Sequence, residues 1–137
     1  MLYENNTMEM KINFPGGQKV NASFNGFVVQ TDQPNSEGGN GSAPEPFSLF
    51  LSSIGTCTGI YILKFCRQRR ISTEDLTLQL TPIWNNNNLV ESIKIVILAN
   101  ETFPEKYKNA VLKAASLCTV KRTLEHPPSI DLSFKRI

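Results

Sequence analysis

One uncharged segment constrains the fold of this chain more than any other feature of its sequence. It runs for eighteen residues, from Pro46 to Leu63, and reads PFSLFLSSIGTCTGIYIL. Proline suits the first turn of a helix, where its missing N–H leaves no hydrogen bond unmade, so the segment predicts a helix that begins at Pro46. A helix that is apolar almost all round must be buried, either in a membrane or in the core of a soluble protein.

The residues in and around this helix favour the soluble alternative. The segment is only weakly apolar for a membrane span because it includes Ser48, Ser52, Ser53, Thr56 and Thr58. The chain of 137 residues is 19% charged, with 14 basic and 12 acidic residues, a balance that excludes a disordered chain and a strongly basic nucleic-acid binder. We therefore expect a single soluble domain over residues 1–137, with no nucleic-acid and no membrane partner.

Alternating apolar residues predict β-strands on both sides of the central helix. One face of a first strand is formed by Met8, Met10, Ile12 and Phe14. The dipeptide Asn25-Gly26 then predicts a hairpin between two further strands. After the helix, alternating leucines at 76–80 and isoleucines at 93–97 predict a second hairpin, with its turn at residues 85–88.

The last third of the chain predicts two more helices and a strand. The apolar stripe of the first of these helices consists of Tyr107, Ala110, Val111, Ala114 and Cys118. A short helical segment over 119–124 must end before the paired prolines at 127–128. Ile130, Leu132 and Phe134 then alternate as a final strand. The expected order is β-β-β-α-β-β-α-α-β, an α+β fold with mainly antiparallel sheets and a long buried central helix.

The three cysteines are the residues most suited to chemistry. They are too few for a secreted disulfide framework, and the N-terminus has no secretory signal, so we expect reduced thiols in the cytoplasm. Cys57 and Cys118 each lie on the apolar side of a helix and could meet in one core, although a buried cysteine is often only a small apolar residue. Cys66 is half a helical turn out of phase with Cys57 and is interpreted as packing. The single histidine, His126, has no partner at a triad or zinc spacing and is expected at the surface.

Two segments of this sequence resemble one known family. GGNGSAPEPFSLFLSSIGTCTGIYIL and, about sixty residues later, SLCTVKRTL resemble the two cysteine motifs of the OsmC/Ohr family of thiol-dependent peroxide reductases. In that family a Gly-rich loop and a Pro-led helix with a cysteine in an (A/G)-x-C-(T/S) setting precede a second cysteine in a C-P-V-x-x-(T/S)-L setting. The order of elements agrees over nearly the whole chain, and the likeness is greatest to the OsmC-like branch.

The resemblance implies a fold, a partner and a reaction. The fold would be an OsmC-like intertwined homodimer with its sites at the subunit boundary. The reaction would be reduction of organic hydroperoxides, without metal or haem: Cys57 would be oxidised to a sulfenic acid, and Cys118 would resolve it as an intramolecular disulfide. A cellular dithiol, of the lipoyl type in relatives, would restore both thiols. Apolar residues near Cys57, namely Phe50, Ile54 and Tyr61, would favour a substrate with an organic tail.

The sequence departs from the family at the residues that activate the thiol. Relatives have an N-terminal arginine and a helix-start glutamate, whereas here no arginine precedes Arg67 and the glutamate positions hold Phe47 and Ser48. Lys19 is the cation that could substitute for the arginine. Thr119 replaces the proline that follows the second cysteine in the family. If Cys118 lies near the start of a helix, it could be more readily ionised than Cys57. The departures support an alternative: a non-peroxidatic OsmC-like protein that binds a small hydrophobic or persulfide ligand at the dimer interface. A purely structural role is the third possibility.

Overall fold

The computed structural model describes residues 8–137, which form two compact units. The first consists of the residues up to Ser52 and the second of Ser53–Ile137. The central helix, α1, spans Pro46–Gln68 and begins at the predicted proline. Because the boundary between the units falls within α1, this helix contributes residues to both of them.

The first unit is built on a three-stranded antiparallel sheet. Its strands, in the order β1-β2-β3, are β1 Lys11–Gly16, β2 Lys19–Phe24 and β3 Phe27–Thr31. Asn25 and Gly26 connect β2 to β3 with φ angles of 48° and 80°. Both angles are positive, as a two-residue hairpin turn of type I′ requires, and asparagine and glycine tolerate them best. The hairpin predicted at this dipeptide is confirmed.

The first strand differs from its prediction in extent and in burial. Met8 and Met10 precede β1, and all six residues of β1 are exposed, although the alternation predicted one buried face. The ring of Phe14 is 80% exposed. The alternation correctly indicates a strand, but β1 is the edge of its sheet and no element among residues 8–52 buries its apolar face.

A buried carboxylate organises the loop that follows β3. Asp32 accepts hydrogen bonds from the backbone N–H groups of Gln33 at 2.8 Å, Asn40 at 3.3 Å and Ser42 at 3.1 Å. It also accepts one from the Ser42 hydroxyl at 2.6 Å. At Gly39 any side chain would collide with the carbonyl oxygen of Gln33, 1.9 Å from the position of a Cβ atom. The loop therefore has a fixed shape, which includes a 3-10 turn over Asn35–Glu37.

The second unit contains the other predicted hairpin. Strands β4 Thr77–Trp84 and β5 Val90–Leu98 pair antiparallel. In the turn between them the side-chain oxygen of Asn85 accepts hydrogen bonds from the N–H groups of Asn87 at 2.9 Å and Leu89 at 3.1 Å. An asparagine that holds its own turn in this way explains why the polar run at 85–88 is a turn.

The central helix is buried along one stripe rather than all round. Its buried residues are Ile54, Thr58, Ile62, Phe65 and Cys66. They are spaced by three or four residues, so they share one face of α1. Ile62, Phe65 and Cys66 pack with two residues of the next helix, Val111 and Ala115, to form the core of the second unit.

By length and composition, α1 is also apolar enough to cross a membrane, with a mean hydropathy of 1.5 over its most apolar window. The core helix of a soluble protein passes the same test. Five buried side chains of α1 lie along a single stripe, and its C-terminal end packs into a protein core. That arrangement is the one expected of a soluble fold.

The helix predicted from the apolar stripe of Tyr107 to Cys118 is a 3-10 turn over Glu105–Tyr107 followed by α2 Lys108–Ala115. The short helix predicted over 119–124 is confirmed as α3, which spans Thr119–Glu125. Cys118 lies between α2 and α3 as the N-cap residue of α3, so the prediction that it closes the apolar stripe of a long helix was wrong. Its spacing from Ala114 fits a helix, but its sulfur caps the helix that follows.

The predicted final strand is absent. Residues 127–137 form neither helix nor strand, and Ile130, Leu132 and Phe134 are 85%, 91% and 86% exposed. A strand requires a neighbouring strand for its backbone hydrogen bonds, and no strand of the described chain pairs with this segment. The alternation is real, but within this chain it has nothing to pack against.

Candidate active site

The second unit brings two of the three cysteines together. The thiol of Cys57, on α1, is a hydrogen-bond partner of the sulfur of Cys118. Both cysteines are free thiols. Cys118 is completely buried, with an exposed fraction of 0%, whereas Cys57 is half-buried. The two thiols are thus adjacent, and Cys57 is the one that faces solvent.

Contacts around α3 fix the position of Cys118. Its Sγ accepts a hydrogen bond from the backbone N–H of Lys121, three residues further on, at 3.5 Å. The backbone N–H of Val120 is a second partner. The hydroxyl oxygens of Tyr61 and Thr119 lie 3.0 Å apart, so the residue next to Cys118 is tied to α1 one turn beyond Cys57.

Thr58 adds a third polar group beside Cys118. Its hydroxyl is a hydrogen-bond partner of the Cys118 sulfur and lies 2.7 Å from the carbonyl oxygen of Ile54. A threonine hydroxyl has one proton, which is therefore shared between these two acceptors. When Cys118 is ionised, the Thr58 hydroxyl donates preferentially to the sulfur, because a hydrogen bond to a charged acceptor is stronger than one to a carbonyl oxygen.

The surroundings of Cys118 stabilise its thiolate. Burial raises the pKa of this thiol, but hydrogen bonds from the N–H of Lys121, the thiol of Cys57, the hydroxyl of Thr58 and the N–H of Val120 more than offset the effect. The pKa of Cys118 therefore lies below its ordinary value. The site therefore favours a negative charge on the buried sulfur of Cys118.

An apolar groove of about 610 Å³ in the second unit is lined in part by Thr58, the threonine beside Cys118. The residues that line it come from α1, β5 and α3 and include Ile54, Thr58, Val90, Ile93, Ile95 and Leu124. Charged residues at its rim include Lys121 and Glu125, which form an ion pair. Thr58 lines the groove and is also a hydrogen-bond partner of the Cys118 sulfur, so a single residue separates the groove from the buried thiol.

The third cysteine takes no part in the pair. Cys66 is completely buried in the core with Ile62, Phe65, Val111 and Ala115, which confirms its interpretation as packing. Burial raises the pKa of its thiol, and the positive charge of Arg69 offsets this only in part. Cys66 is therefore the thiol least prepared to react.

The other residues that were expected near the substrate lie in different parts of the structure. Ile54 lines the groove, while Tyr61 instead holds Thr119. Phe50 belongs to the first unit, where its ring lies 5.2 Å from that of Phe47. Lys19 is an exposed residue of β2 in that unit, and its role as the activating cation stays a prediction. His126 is exposed directly after α3, as expected.

Sequence reasoning missed Thr58 and the two N–H donors of α3. The signal for Thr58 was present, because it lies four residues from Ile54 and from Ile62 and so on the same buried face. A polar residue on such a face must find a hydrogen-bond partner. No side-chain pattern could indicate the N–H groups of residues 120 and 121. In the described part of the chain, no group of three or more His, Cys, Asp or Glu side chains is arranged to hold a metal ion.

Comparison with known proteins assigns the chain to a family. The sequence model of the family described as OsmC-like protein matches residues 39–133, which is more than half of the chain. No curated protein matches the sequence. The chain belongs to the OsmC-like family, and its α+β fold is the OsmC-like fold expected from the sequence.

Several solved structures share this fold at low sequence identity. One, described as an osmotic stress induced and detoxification response protein from Psychrobacter arcticus, is 22% identical with a TM-score of 0.73, covering 89% of this chain and 91% of its own. An OsmC-like protein from Mycoplasma pneumoniae is 14% identical with a TM-score of 0.71, covering 90% of each chain. An organic hydroperoxide resistance protein OsmC from Legionella pneumophila is 19% identical with a TM-score of 0.55, covering 88% and 90%. Structural relatives of this chain thus include proteins named for resistance to hydroperoxides.

Proposed function

We propose that this protein is a thiol-dependent peroxidase that reduces organic hydroperoxides with Cys57 and Cys118. The observation that carries the proposal is that the half-buried thiol of Cys57 adjoins the buried sulfur of Cys118. Two adjacent thiols on different elements can be oxidised to a disulfide with little movement, and that step is the basis of thiol peroxidase chemistry. Membership of the OsmC-like family and the hydroperoxide-resistance relative support the same function.

In the proposed reaction Cys57 is the residue that meets the peroxide. Its thiolate attacks the outer oxygen of the hydroperoxide, the O–O bond breaks, and the alkoxide leaves and takes up a proton to become the alcohol, while Cys57 becomes a sulfenic acid. The Cys118 thiolate then attacks the sulfur of that sulfenic acid, and as the disulfide forms hydroxide leaves and takes up a proton to become water. The assignment follows from access, because Cys57 reaches solvent and Cys118 does not.

The groove supports an organic rather than an inorganic peroxide as substrate. Its lining by Ile54, Ile93, Ile95 and Leu124 would hold an aliphatic or aromatic tail by burial of apolar surface. Hydrogen peroxide has no group to place there. The tail would lie in the groove and direct the peroxide group toward the thiols.

The reductant would be a small dithiol of the lipoyl type, which can reduce the Cys57–Cys118 disulfide by exchange. Such a cycle requires a reducing compartment, so we propose a cytoplasmic protein whose residues 1–137 act as one OsmC-like domain. The test is stopped-flow consumption of cumene hydroperoxide with dihydrolipoamide as reductant. We expect rapid consumption by the wild type and by Cys66→Ala, and none above background by Cys57→Ser. Equal rates for the wild type and Cys57→Ser would refute the proposal.

We further propose that two copies of the chain form an intertwined homodimer. Large apolar side chains on two segments support it: Phe14 on β1 and Leu132 and Phe134 near the C-terminus are at least 80% exposed. The alternating segment 130–134 would become a strand on a second copy. The wild type should therefore sediment at twice the mass of the chain, as should the matched control Ser133→Asp, whereas Leu132→Asp combined with Phe134→Asp should sediment as a monomer. A monomeric wild type at micromolar concentration would contradict this.

The groove also favours a second candidate function, the binding of a small hydrophobic or persulfide ligand without turnover. Its volume suits a small molecule, and its lining is mainly apolar. Native mass spectrometry of protein purified from its own cells would then show a retained adduct of constant mass. Repeated preparations without an adduct, together with peroxide consumption, would favour the peroxidase.

A further inference from the structure

The surroundings of Cys118 consist of hydrogen-bond donors. The backbone N–H groups of Val120 and Lys121 are directed at its sulfur, and the thiol of Cys57 and the hydroxyl of Thr58 complete the set. A cysteine that only forms a disulfide requires access to the second sulfur. A cysteine that must be a stable thiolate also requires several hydrogen-bond donors around its sulfur. Cys118 has the donors that a thiolate needs.

The surroundings of Cys57 on its own helix supply no cation. The nearest basic residue on α1 is Lys64, seven residues away and therefore about 10 Å along the axis, and its Nζ lies over the ring of Tyr61 instead. The first arginine of the chain, Arg67, is ten residues from Cys57, or about 15 Å along the axis. What Cys57 does contact is the sulfur of Cys118.

We propose that Cys118 acts first as the base that removes the proton of Cys57 and only afterwards as the nucleophile that closes the disulfide. This inference rests on the proposed function and assigns to Cys118 the activation that relatives obtain from an arginine. One sulfur would thus activate the reacting thiol and later resolve its oxidised form.

Protons and electrons balance over the proposed reaction steps. The Cys118 thiolate takes the proton of Cys57, giving a Cys57 thiolate and a Cys118 thiol. The Cys57 thiolate then attacks the hydroperoxide, which is reduced to an alkoxide while Cys57 is oxidised to the sulfenic acid. The alkoxide takes the proton of Cys118 and leaves as the alcohol. The restored Cys118 thiolate attacks the sulfenic sulfur, the S–O bond breaks, and the hydroxide that leaves becomes water with the proton that Cys118 had released to solvent when it ionised.

The test measures the reactivity of Cys57 in a step that does not involve a disulfide. Iodoacetamide reacts with thiolates, so its rate of reaction at Cys57, followed by peptide mass spectrometry at fixed neutral pH, reports removal of the proton. We expect Cys118→Ser to slow alkylation of Cys57 by about tenfold or more, since the loss of a positioned base has effects of at least that size. Cys66→Ala, which changes only the core cysteine, should react at the wild-type rate.

A second variant keeps the proposal testable if Cys118→Ser does not fold. Cys118→Ala leaves no proton acceptor at this position and introduces no hydroxyl, so we expect it to slow alkylation of Cys57 by about tenfold or more as well. Wild-type rates in a folded Cys118→Ser or Cys118→Ala would overturn the proposal. A different result would refute the peroxidase function alone. In that case alkylation of Cys57 would still depend on Cys118, but hydroperoxide would oxidise neither thiol.

Discussion

The hydroxyl oxygen of Tyr61 lies 3.0 Å from that of Thr119, and this hydrogen bond joins the central helix to the first residue of α3. Tyr61 is one helical turn beyond Cys57, and Thr119 directly follows Cys118. The bond therefore spans the two elements that carry the thiols, at the level of the thiols themselves. Two helices that are distant in sequence are held in register by it.

Removal of this bond should destabilise the second unit. We expect Tyr61→Phe to lower the free energy of unfolding by about 1 kcal/mol, the net value of one protein hydrogen bond. The measurement is the midpoint of urea unfolding. Tyr107→Phe is the matched control, because in the described part of the chain the Tyr107 hydroxyl makes no hydrogen bond while its ring packs on Phe65. An equal change in both variants would show that the Tyr61 hydroxyl contributes nothing specific.

The thiols of Cys118 and Cys66 should ionise in a fixed order. Cys118 should ionise below the ordinary range because its four hydrogen-bond donors outweigh its burial, and Cys66 above that range because burial dominates. Thiolate absorbance near 240 nm measured against pH should lose its first step in Cys118→Ala and its last step in Cys66→Ala. Loss of the first step in Cys66→Ala would contradict this order.

The same pKa shift predicts how stability depends on pH. A pKa below the unfolded value stabilises the fold at pH values above the unfolded pKa, and this contribution is lost as the pH falls through the folded pKa. The wild type should therefore gain stability over Cys118→Ala as the pH rises between those two values. The difference in unfolding free energy, measured in urea across that range, should increase with pH. A difference that stays constant would mean that Cys118 does not ionise in the fold.

The Asp32 carboxylate should control the stability of the loop after β3. Four hydrogen bonds to it lower the pKa of this group from 3.8 to about 2. In Asp32→Asn an amide nitrogen would replace one oxygen and would meet N–H groups, so we expect the backbone amides of residues 33–42 to exchange hydrogen about tenfold faster at neutral pH. Glu37→Gln, an exposed residue of the same loop, is the control.

Acid should reproduce the effect of that substitution. A folded pKa of about 2 means that the stabilisation by Asp32 is complete above the ordinary carboxyl pKa and is lost as the pH falls toward 2. Hydrogen exchange of the same backbone amides near pH 2 should therefore proceed at similar rates in the wild type and Asp32→Asn. A large difference that persists at that pH would show that the carboxylate charge is not what holds the loop.

The groove should select the substrate. Ile93→Trp would fill the groove from β5, so we expect the rate with cumene hydroperoxide to fall by about tenfold or more while the rate with hydrogen peroxide is unchanged, since one poorly fitting group costs 1 to 3 kcal/mol. Ile83→Trp places the same side chain on the exposed face of β4 and should alter neither rate. Equal losses with both peroxides would place the groove outside the substrate path.

Local patterns in the sequence predicted the parts of this fold that local forces determine. The hairpin at Asn25-Gly26, the turn at Asn85 and the start of α1 at Pro46 each follow from the conformational preferences of those residues. Patterns failed at Cys118, where helical spacing continues through a break in the helix. They also failed at Leu132, where alternation indicates a strand that has no partner within the chain.

The candidate site could be predicted only in part. Family resemblance indicated Cys57 and Cys118, and the structure brings these two thiols together. The donors around Cys118 are mainly backbone N–H groups and one threonine, and every residue of a sequence has an N–H. Only the path of the chain decides which of these groups point at a sulfur, so no motif could have revealed them.

The most direct test of the account is the identity of the bond that forms when the reduced protein meets one equivalent of cumene hydroperoxide. Peptide mapping after an acid quench should find a disulfide between Cys57 and Cys118 within one chain, with Cys66 as a free thiol. A disulfide that includes Cys66, or full retention of all three thiols while an authentic thiol peroxidase consumes the same peroxide, would contradict it.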